Sequence, residues 1–318
     1  MQVYTNIHDL PKFENAVITI GTFDGVHQGH VKIIKQLVNE ARLVGGTAVV
    51  ITFYPHPRMV VHKGSPLLFL NTPEEKYKLL EDLGIKNIVC VPFNKDFSEQ
   101  SASAYIKNFL VDKFHPHTVI IGYDHKFGVN REGDYRLLEE GGKQFGFHVK
   151  EIPEHILKSV VISSTKIREA LQTGAIETAN EFLGYTYSFS GLVVEGKQIG
   201  RTLGFPTANI EVHESSKLIP AIGIYAVQVF SEKFRASFHG MLSIGTNPTT
   251  QGTRQTIEVN IFDFDGDLYG SELTISLIRR LRSEEKFDTL GDLIAQMKID
   301  KVATEDVFKK VQNVPKVQ

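Results

Sequence analysis

The sequence predicts two domains in series: an α/β domain on a doubly wound parallel sheet, then an antiparallel β-barrel followed by a terminal helix. Three observations carry this. Up to about Leu183, short apolar runs alternate with helix-period segments, as strands do when helices cover both faces of a parallel sheet. From Tyr185 to Arg280, alternating runs follow one another with only Gly, Pro, Asn and Asp turns between them, the texture of a small closed barrel. A helical stretch, Thr289 to Val311, completes the chain. The expected domains are 1–184 and 185–318, each of ordinary size.

In the first half the strands fall at Ala16–Ile20, Ala48–Phe53, Asn87–Val91, Thr118–Ile121 and His148–Ile152. Helical spacing covers Val31–Leu43, through Ile33, Ile34, Leu37, Val38 and Ala41, and also Pro73–Leu83, Ser101–Phe114 and Asp134–Phe145. In the second half the strands fall at Tyr187–Val194, Thr207–Glu211, Ile222–Phe230, Ala236–Ile244, Thr256–Phe264 and Glu272–Leu277. The last helix carries an apolar stripe through Leu290, Leu293, Ile294, Met297, Val307, Phe308 and Val311, with a break expected near Asp300.

Composition narrows the classes. The 318 residues carry a formal net charge of −2, so no bulk field recruits nucleic acid and an anionic ligand must be held by local groups. Cys90, the single cysteine, reads as a buried strand residue; a disulfide within the chain is excluded, which fits a reducing compartment. Met1 to His8 lacks a basic start followed by an apolar core, and no apolar run approaches membrane-spanning length. The expectation is a cytoplasmic protein without nucleic-acid or membrane partners, acting on small molecules, with a homo-oligomer left open.

The most informative string is Gly21-Thr-Phe23-Asp-Gly-Val-His27-Gln-Gly29-His30. It joins the first strand to the first helix, where unpaired N–H groups and the positive end of the helix dipole favour an anion. His27 and His30 share one face of the first turn. Gly29 between them leaves room for a ligand. Neither the Walker loop nor the dinucleotide fingerprint is present, and no partner motif supports a metal bound by the two histidines. A lone histidine here would read as a packed helix cap; the whole string between strand and helix reads as a phosphate site.

Ile162-Ser163-Ser164-Thr165-Lys166-Ile167-Arg168 puts hydroxyls at a helix start and a guanidinium one turn later, suited to capping and to gripping phosphate oxygens. Pro55-His56-Pro57 forms a stiff loop at the sheet's ligand edge. Gly122-Tyr-Asp124-His125-Lys126-Phe127-Gly128 follows the fourth strand, with Asp124 suited to ligand bonding or to turn closure. In the second half, Gly196-Lys197-Gln-Ile-Gly200-Arg201-Thr-Leu-Gly204-Phe-Pro-Thr207-Ala-Asn209 spaces glycines before two neutral oxygen donors that point one way along a strand, a set suited to Mg²⁺. Glu258 lies on the polar face of Thr256–Asp263, where an isolated carboxylate ordinarily is only solvated.

The Gly-x-Phe-Asp-Gly-x-His-x-Gly-His string and the Ser-Ser-Thr-x-Ile-Arg string resemble the two signatures of a nucleotidyltransferase superfamily. The glycine-spaced string, with Pro-Thr-Ala-Asn, resembles the riboflavin kinase signature. Together, in this order, they are similar to the prokaryotic bifunctional riboflavin kinase/FMN adenylyltransferase (FAD synthetase) family across nearly the whole chain. The resemblance implies a nucleotidyltransferase-like first domain. There His27 and His30 act in catalysis, and Gly21, Phe23, Gly29, Ser163, Ser164, Thr165 and Arg168 bind ATP. Pro55, His56, Pro57 and Asp124 bind flavin. It implies a kinase barrel with Glu258 as the catalytic carboxylate, Gly196, Lys197, Gly200, Arg201 and Gly204 on ATP, Thr207 and Asn209 on Mg²⁺, and Arg282 in a segment covering the flavin. ATP is the co-substrate; riboflavin, FMN and FAD are substrate and products. Two departures stand out: His125 replaces an aromatic residue, and Ser243 replaces an asparagine. A kinase whose first half has lost turnover, or a flavin or nucleotide sensor, are the competing readings.

Overall fold

The computed structural model describes residues 1–61, 67–153, 162–196, 200, 203–249 and 252–312. The chain divides into two compact units, Met1–Ser164 and Thr165–Gln318.

In the first unit six strands form one parallel sheet: β1 (Gln2–Tyr4), β2 (Val17–Ile20), β3 (Ala48–Tyr54), β4 (Asn87–Pro92), β5 (Thr118–Gly122) and β6 (His148–Ile152), in the order β1-β4-β3-β2-β5-β6. β1 has no counterpart in the sequence reading, because three residues at a sheet edge are too few to show a period. Alternate residues of β2 point to opposite faces and feed two cores. Val17 packs with Val50, Ile88 and Ile120 beneath Ile34, Leu37 and Ala41 of α1 (Gln28–Leu43). Ile18 and Ile20 join Val49, Ile51 and Val119 on the other face. There the chain passes from a short helical turn (Ala102–Ala104) through a π-helical stretch (Tyr105–Val111) to another turn (Asp112–Phe114). The helix expected over Ser101–Phe114 is thus present, wound wider so that Tyr105, Ile106, Phe109 and Leu110 all reach the core.

This winding is what positions the site. From β2 the sheet grows outward to β3 and β4; from β5 it grows the other way, to β6. The loops after β2 and β5 therefore flank the switch point, the place where open α/β sheets bind ligands.

In the second unit two helices, Ser164–Thr173 (whose first residue belongs to the first unit) and Ile176–Leu183, precede the barrel. Its strands are β7 (Ser188–Val194), β8 (Ala208–Glu211), β9 (Gly223–Ser231), β10 (Ala236–Thr249), β11 (Gly252–Ile261) and β12 (Glu272–Arg282). They close in the order β10-β11-β8-β7-β12-β9. Asn180 staples the second helix to the barrel: its amide donates to the Leu277 carbonyl at 2.9 Å and its oxygen accepts the Tyr187 N–H at 2.7 Å.

The terminal helix, Leu290–Gln312, is unbroken where the sequence suggested a break at Asp300. Asp300 is buried, but its carboxylate takes both arms of Arg282 and the amide of Gln296, and its carbonyl accepts the Thr304 hydroxyl. The polar residue is satisfied inside the helix packing, so nothing forces the helix apart. Ile294 and Met297 pack on Phe205, Met241 and Phe262, while Val307 and Phe308 pack on Ala226. Leu290, expected in the stripe, is 63% exposed.

Candidate functional site

The structure offers a candidate site in each unit. In the first, the loop after β2 turns through two left-handed non-glycine residues, Phe23 (φ 48°) and the β-branched Val26 (φ 33°). Such angles persist only where the surroundings over-determine them. Here both side chains are buried under α1. The Asp24 carboxylate accepts the N–H groups of Leu70 and Asn71 at 3.0 and 3.3 Å, and the Ser164 hydroxyl donates to the Asp24 carbonyl at 2.9 Å.

The loop delivers His27 as the N-cap of α1, its Nδ1 accepting the His30 backbone N–H at 3.4 Å. A neutral His27 accepting at Nδ1 carries its proton on Nε2, so that nitrogen is a donor. The His27 and His30 rings stack with centroids 3.7 Å apart, and the Phe23 ring meets His30 edge-on at 5.1 Å. A Cβ at Gly21 would lie 3.1 Å from the Phe23 ring, and at Gly29 3.2 Å from two atoms of the His27 ring, so glycine lets both rings sit close. Burial lowers the His27 pKa from 6.5 to about 4. His30 is driven well below its ordinary value by burial first, then by His27 and by the ammonium of Lys76. Two uncharged imidazoles thus stand at the N-terminus of a helix, a donor array suited to phosphate oxygens.

Among the other expected residues of this unit, Pro55-His56-Pro57 follows β3, with His56 Nδ1 accepting the Arg58 N–H at 3.2 Å and its ring 5.7 Å from Phe69. Asp124 is exposed in the turn after β5. His125 lies 5.9 Å from the Phe127 ring, and burial lowers its pKa to about 4 against the pull of Asp124. It therefore packs as an uncharged ring where the resemblance calls for an aromatic one. Ser163 immediately precedes the helix Ser164–Thr173; Thr165 and Arg168, on that helix, are counted with the second unit.

Lys76 escaped the sequence reading. It sits on the helix Pro73–Asp82, one turn before the buried Leu80. Its Nζ donates to the Thr22 carbonyl at 3.3 Å and to the hydroxyl of the fully buried Thr52 at 3.1 Å. A lysine in register with the apolar face of an amphipathic helix was the available signal.

In the second unit, β8 and β11 pair antiparallel with Glu258 opposite Asn209. The Thr207 hydroxyl donates to the Glu258 carboxylate at 3.1 Å, and the Asn260 amide donates to the Pro206 carbonyl at 2.7 Å. The latter bond explains why Asn260 is buried although it belongs to the polar face of its strand. A Cβ on Gly196 would fall 2.0 Å from the Asn209 amide nitrogen, and one on Gly200 would fall 2.4 Å from the Phe205 carbonyl and 3.2 Å from Thr207 Oγ1. Gly204 has φ +80°. At Gly196 and Gly200 the backbone lies directly against Asn209 and Thr207. Lys197 and Arg201 lie outside the described residues. Arg282 points its guanidinium at Asp300, with Nη2 2.8 Å from Oδ2, and passes 5.8 Å from the Phe287 ring.

A family model described as FAD synthetase matches residues 10–166, and one described as riboflavin kinase matches residues 183–308. Bifunctional riboflavin kinase/FMN adenylyltransferase of Escherichia coli (strain K12) is 35% identical over 97% of this chain and 98% of its own length. The chain belongs to the bifunctional riboflavin kinase/FMN adenylyltransferase family. The Listeria monocytogenes member is 39% identical over 94% of both chains. A crystal structure described as a macrolide-efflux protein from Streptococcus pneumoniae shares the fold, with a TM-score of 0.86 and 29% identity over 96% of this chain and 98% of that one. Among the described residues no helix is long and apolar enough to cross a membrane.

Proposed function

We propose that this family member makes FAD from riboflavin in two ATP-dependent steps at two sites, one per unit, within the cytoplasm. The observation that carries the division of labour is chemical. The Thr207–Glu258 pair supplies a carboxylate, whereas the His27–His30 pair supplies neutral donors.

At the second-unit site the riboflavin 5′-hydroxyl attacks the γ-phosphorus of ATP, the bond to the β-phosphate breaks and ADP leaves. A hydroxyl is a poor nucleophile at neutral pH, so a base must take its proton as the new bond forms. Glu258 is that base. The Thr207 hydroxyl bonded to it fixes the carboxylate, and by giving its proton to Glu258 keeps its own lone pairs for a cation. Thr207 and Asn209, two neutral oxygens beside one carboxylate, fit Mg²⁺, which takes few protein ligands. When bound, Mg²⁺ offsets phosphate charge. Gly196, Gly200 and Gly204 admit the ATP phosphates to this corner, with Lys197 and Arg201 as their cationic partners. Arg282, braced by Asp300, steadies the segment that covers the flavin.

At the first-unit site the FMN phosphate, already ionised near neutrality, attacks the α-phosphorus of a second ATP and pyrophosphate leaves, so no side-chain base is needed. Alignment and charge stabilisation at the α-phosphorus are the whole task. His27 Nε2–H, His30 and the first-turn N–H groups of α1 are the donors. Ser164 ties down the loop through the Asp24 carbonyl, and Ser163 beside it contributes to triphosphate binding. Pro55, His56, Pro57 and Asp124 line the flavin side.

Incubating the protein with riboflavin, ATP and Mg²⁺ and resolving both products tests this reading. FMN accumulates first and FAD follows; a protein that binds flavin and releases neither product contradicts it.

A further inference from the structure

We propose that Lys76 is a positioning residue for adenylyl transfer. It clamps the Thr22 carbonyl of the histidine loop to the Thr52 hydroxyl of β3 and sets a positive charge where that loop leaves its strand. The inference rests on the adenylyl-transfer reading of that loop.

Four observations carry it. First, the ammonium is partly buried, and burial lowers its pKa, opposed by Cys90 and Asp24. A buried lysine is costly unless it is paired or has a use. Among the described residues no carboxylate lies within salt-bridge distance, and Nζ is held by a backbone carbonyl and a hydroxyl, at 3.3 and 3.1 Å. Second, the three groups close a triangle, since the Thr52 hydroxyl also donates to the Thr22 carbonyl at 3.2 Å. The clamp joins two loop origins at the sheet's carboxyl edge: the string that ends in His30, and the strand that leads into Pro55-His56-Pro57. Third, Thr22 is the residue before the left-handed Phe23, so the clamp acts where the loop leaves its strand. Fourth, His30 Nδ1 is sealed from solvent without a hydrogen-bond partner among the described residues, and Lys76 disfavours the charged form of that ring.

Among the described residues, the charged and titratable groups around this centre are His27 and Asp24 on the loop, Lys76 on its helix and Cys90 on β4, to which Tyr77 is hydrogen-bonded. Asp24 and Cys90 favour the charged ammonium; the ammonium and His27 disfavour a charged His30. A cation held at the root of the loop that carries a neutral donor pair attracts the triphosphate without the pair itself becoming charged.

The test uses the full chain in three variants: Lys76→Met, Lys76→Arg and Thr52→Val. FAD formation from FMN and ATP is followed against pH, and FMN formation from riboflavin serves as the folding control. Lys76→Met should lower kcat for FAD formation by about 10²-fold, the loss expected from small misplacement of reacting groups. It should raise KM for ATP and shift the acid limb of the pH profile upward, because His30 then protonates more readily. Lys76→Arg should restore the acid limb and part of kcat. Thr52→Val keeps the charge and loses one anchor, so kcat should fall with the acid limb in place. FMN formation stays at the wild-type rate in all three. Wild-type kcat, KM and pH profile in Lys76→Met overturn the proposal. Should that variant fail to fold, a Thr52→Val protein with wild-type kcat overturns the clamp, and a Lys76→Arg protein with a displaced acid limb overturns the role of the charge. A wild-type protein that makes no FAD would instead remove the underlying reading.

Discussion

The imidazoles of His27 and His30 lie face to face, 3.7 Å between centroids and 15° between planes. Two charged rings at that distance would repel strongly in so dry a place. The pair is therefore built to stay neutral, and it spends one nitrogen, His27 Nδ1, on capping its own helix.

That neutrality has a cost in acid. His27 has its folded pKa depressed to about 4 from 6.5, so between those values the unfolded chain binds a proton that the folded chain refuses. Stability therefore rises with pH through this window and is lost as pH falls through it, by about 3 kcal/mol for this residue. His30 and His125, also in the first unit, act in the same direction. Calorimetry from pH 7 to pH 4.5 should show the first unit's melting temperature falling, and His125→Phe should flatten that dependence. A melting temperature independent of pH contradicts the burial argument.

Gly196 has no room for a methyl group, since its Cβ would sit 2.0 Å from the Asn209 amide. Gly196→Ala should swing that amide away and lower FMN formation about 10²-fold, the scale of a 1 Å misplacement, while FAD formation from supplied FMN is unchanged. Rates of both half-reactions check this directly.

Asp300 and Arg282 form a largely buried, bidentate pair between β12 and the terminal helix. Removing only the acid, as in Asp300→Ala, strands a guanidinium and should destabilise the second unit by about 3–5 kcal/mol. The double replacement Arg282→Met with Asp300→Leu should recover most of that loss. Urea denaturation of the three proteins decides it; equal stability of the single and double variants would show that the pair is not coupled.

Glu258→Gln keeps the shape of the Thr207 contact and removes the base. FMN formation should drop by about 10²–10⁴-fold with riboflavin binding retained. Stopped-flow or quenched assays alongside flavin fluorescence titration separate the two effects.

Much of the architecture was legible because each strand and helix carries its own period. Ile34, Leu37 and Ala41 announce one buried face, and Ile257 and Val259 another. The histidine string was legible because a turn, a cap and two rings must all fall within a few residues. Lys76, Thr52 and Asp24 were not: the partners of their side chains lie 24 to 54 residues away in sequence, and only the sheet's winding brings them together. β1 stayed hidden because an edge strand of three residues has no pattern of its own. The bond from Arg282 to Asp300, and with it the unbroken helix, joins residues that the sequence presents as part of a flavin-covering segment and as a helix breaker.

The most direct test is a crossed comparison of His30→Ala and Glu258→Gln, with FMN and FAD quantified separately from riboflavin and from supplied FMN. His30→Ala should form FMN at the wild-type rate and no FAD; Glu258→Gln should form almost no FMN yet convert supplied FMN to FAD normally. Loss of both activities in either folded variant would contradict two sites with separate chemistry.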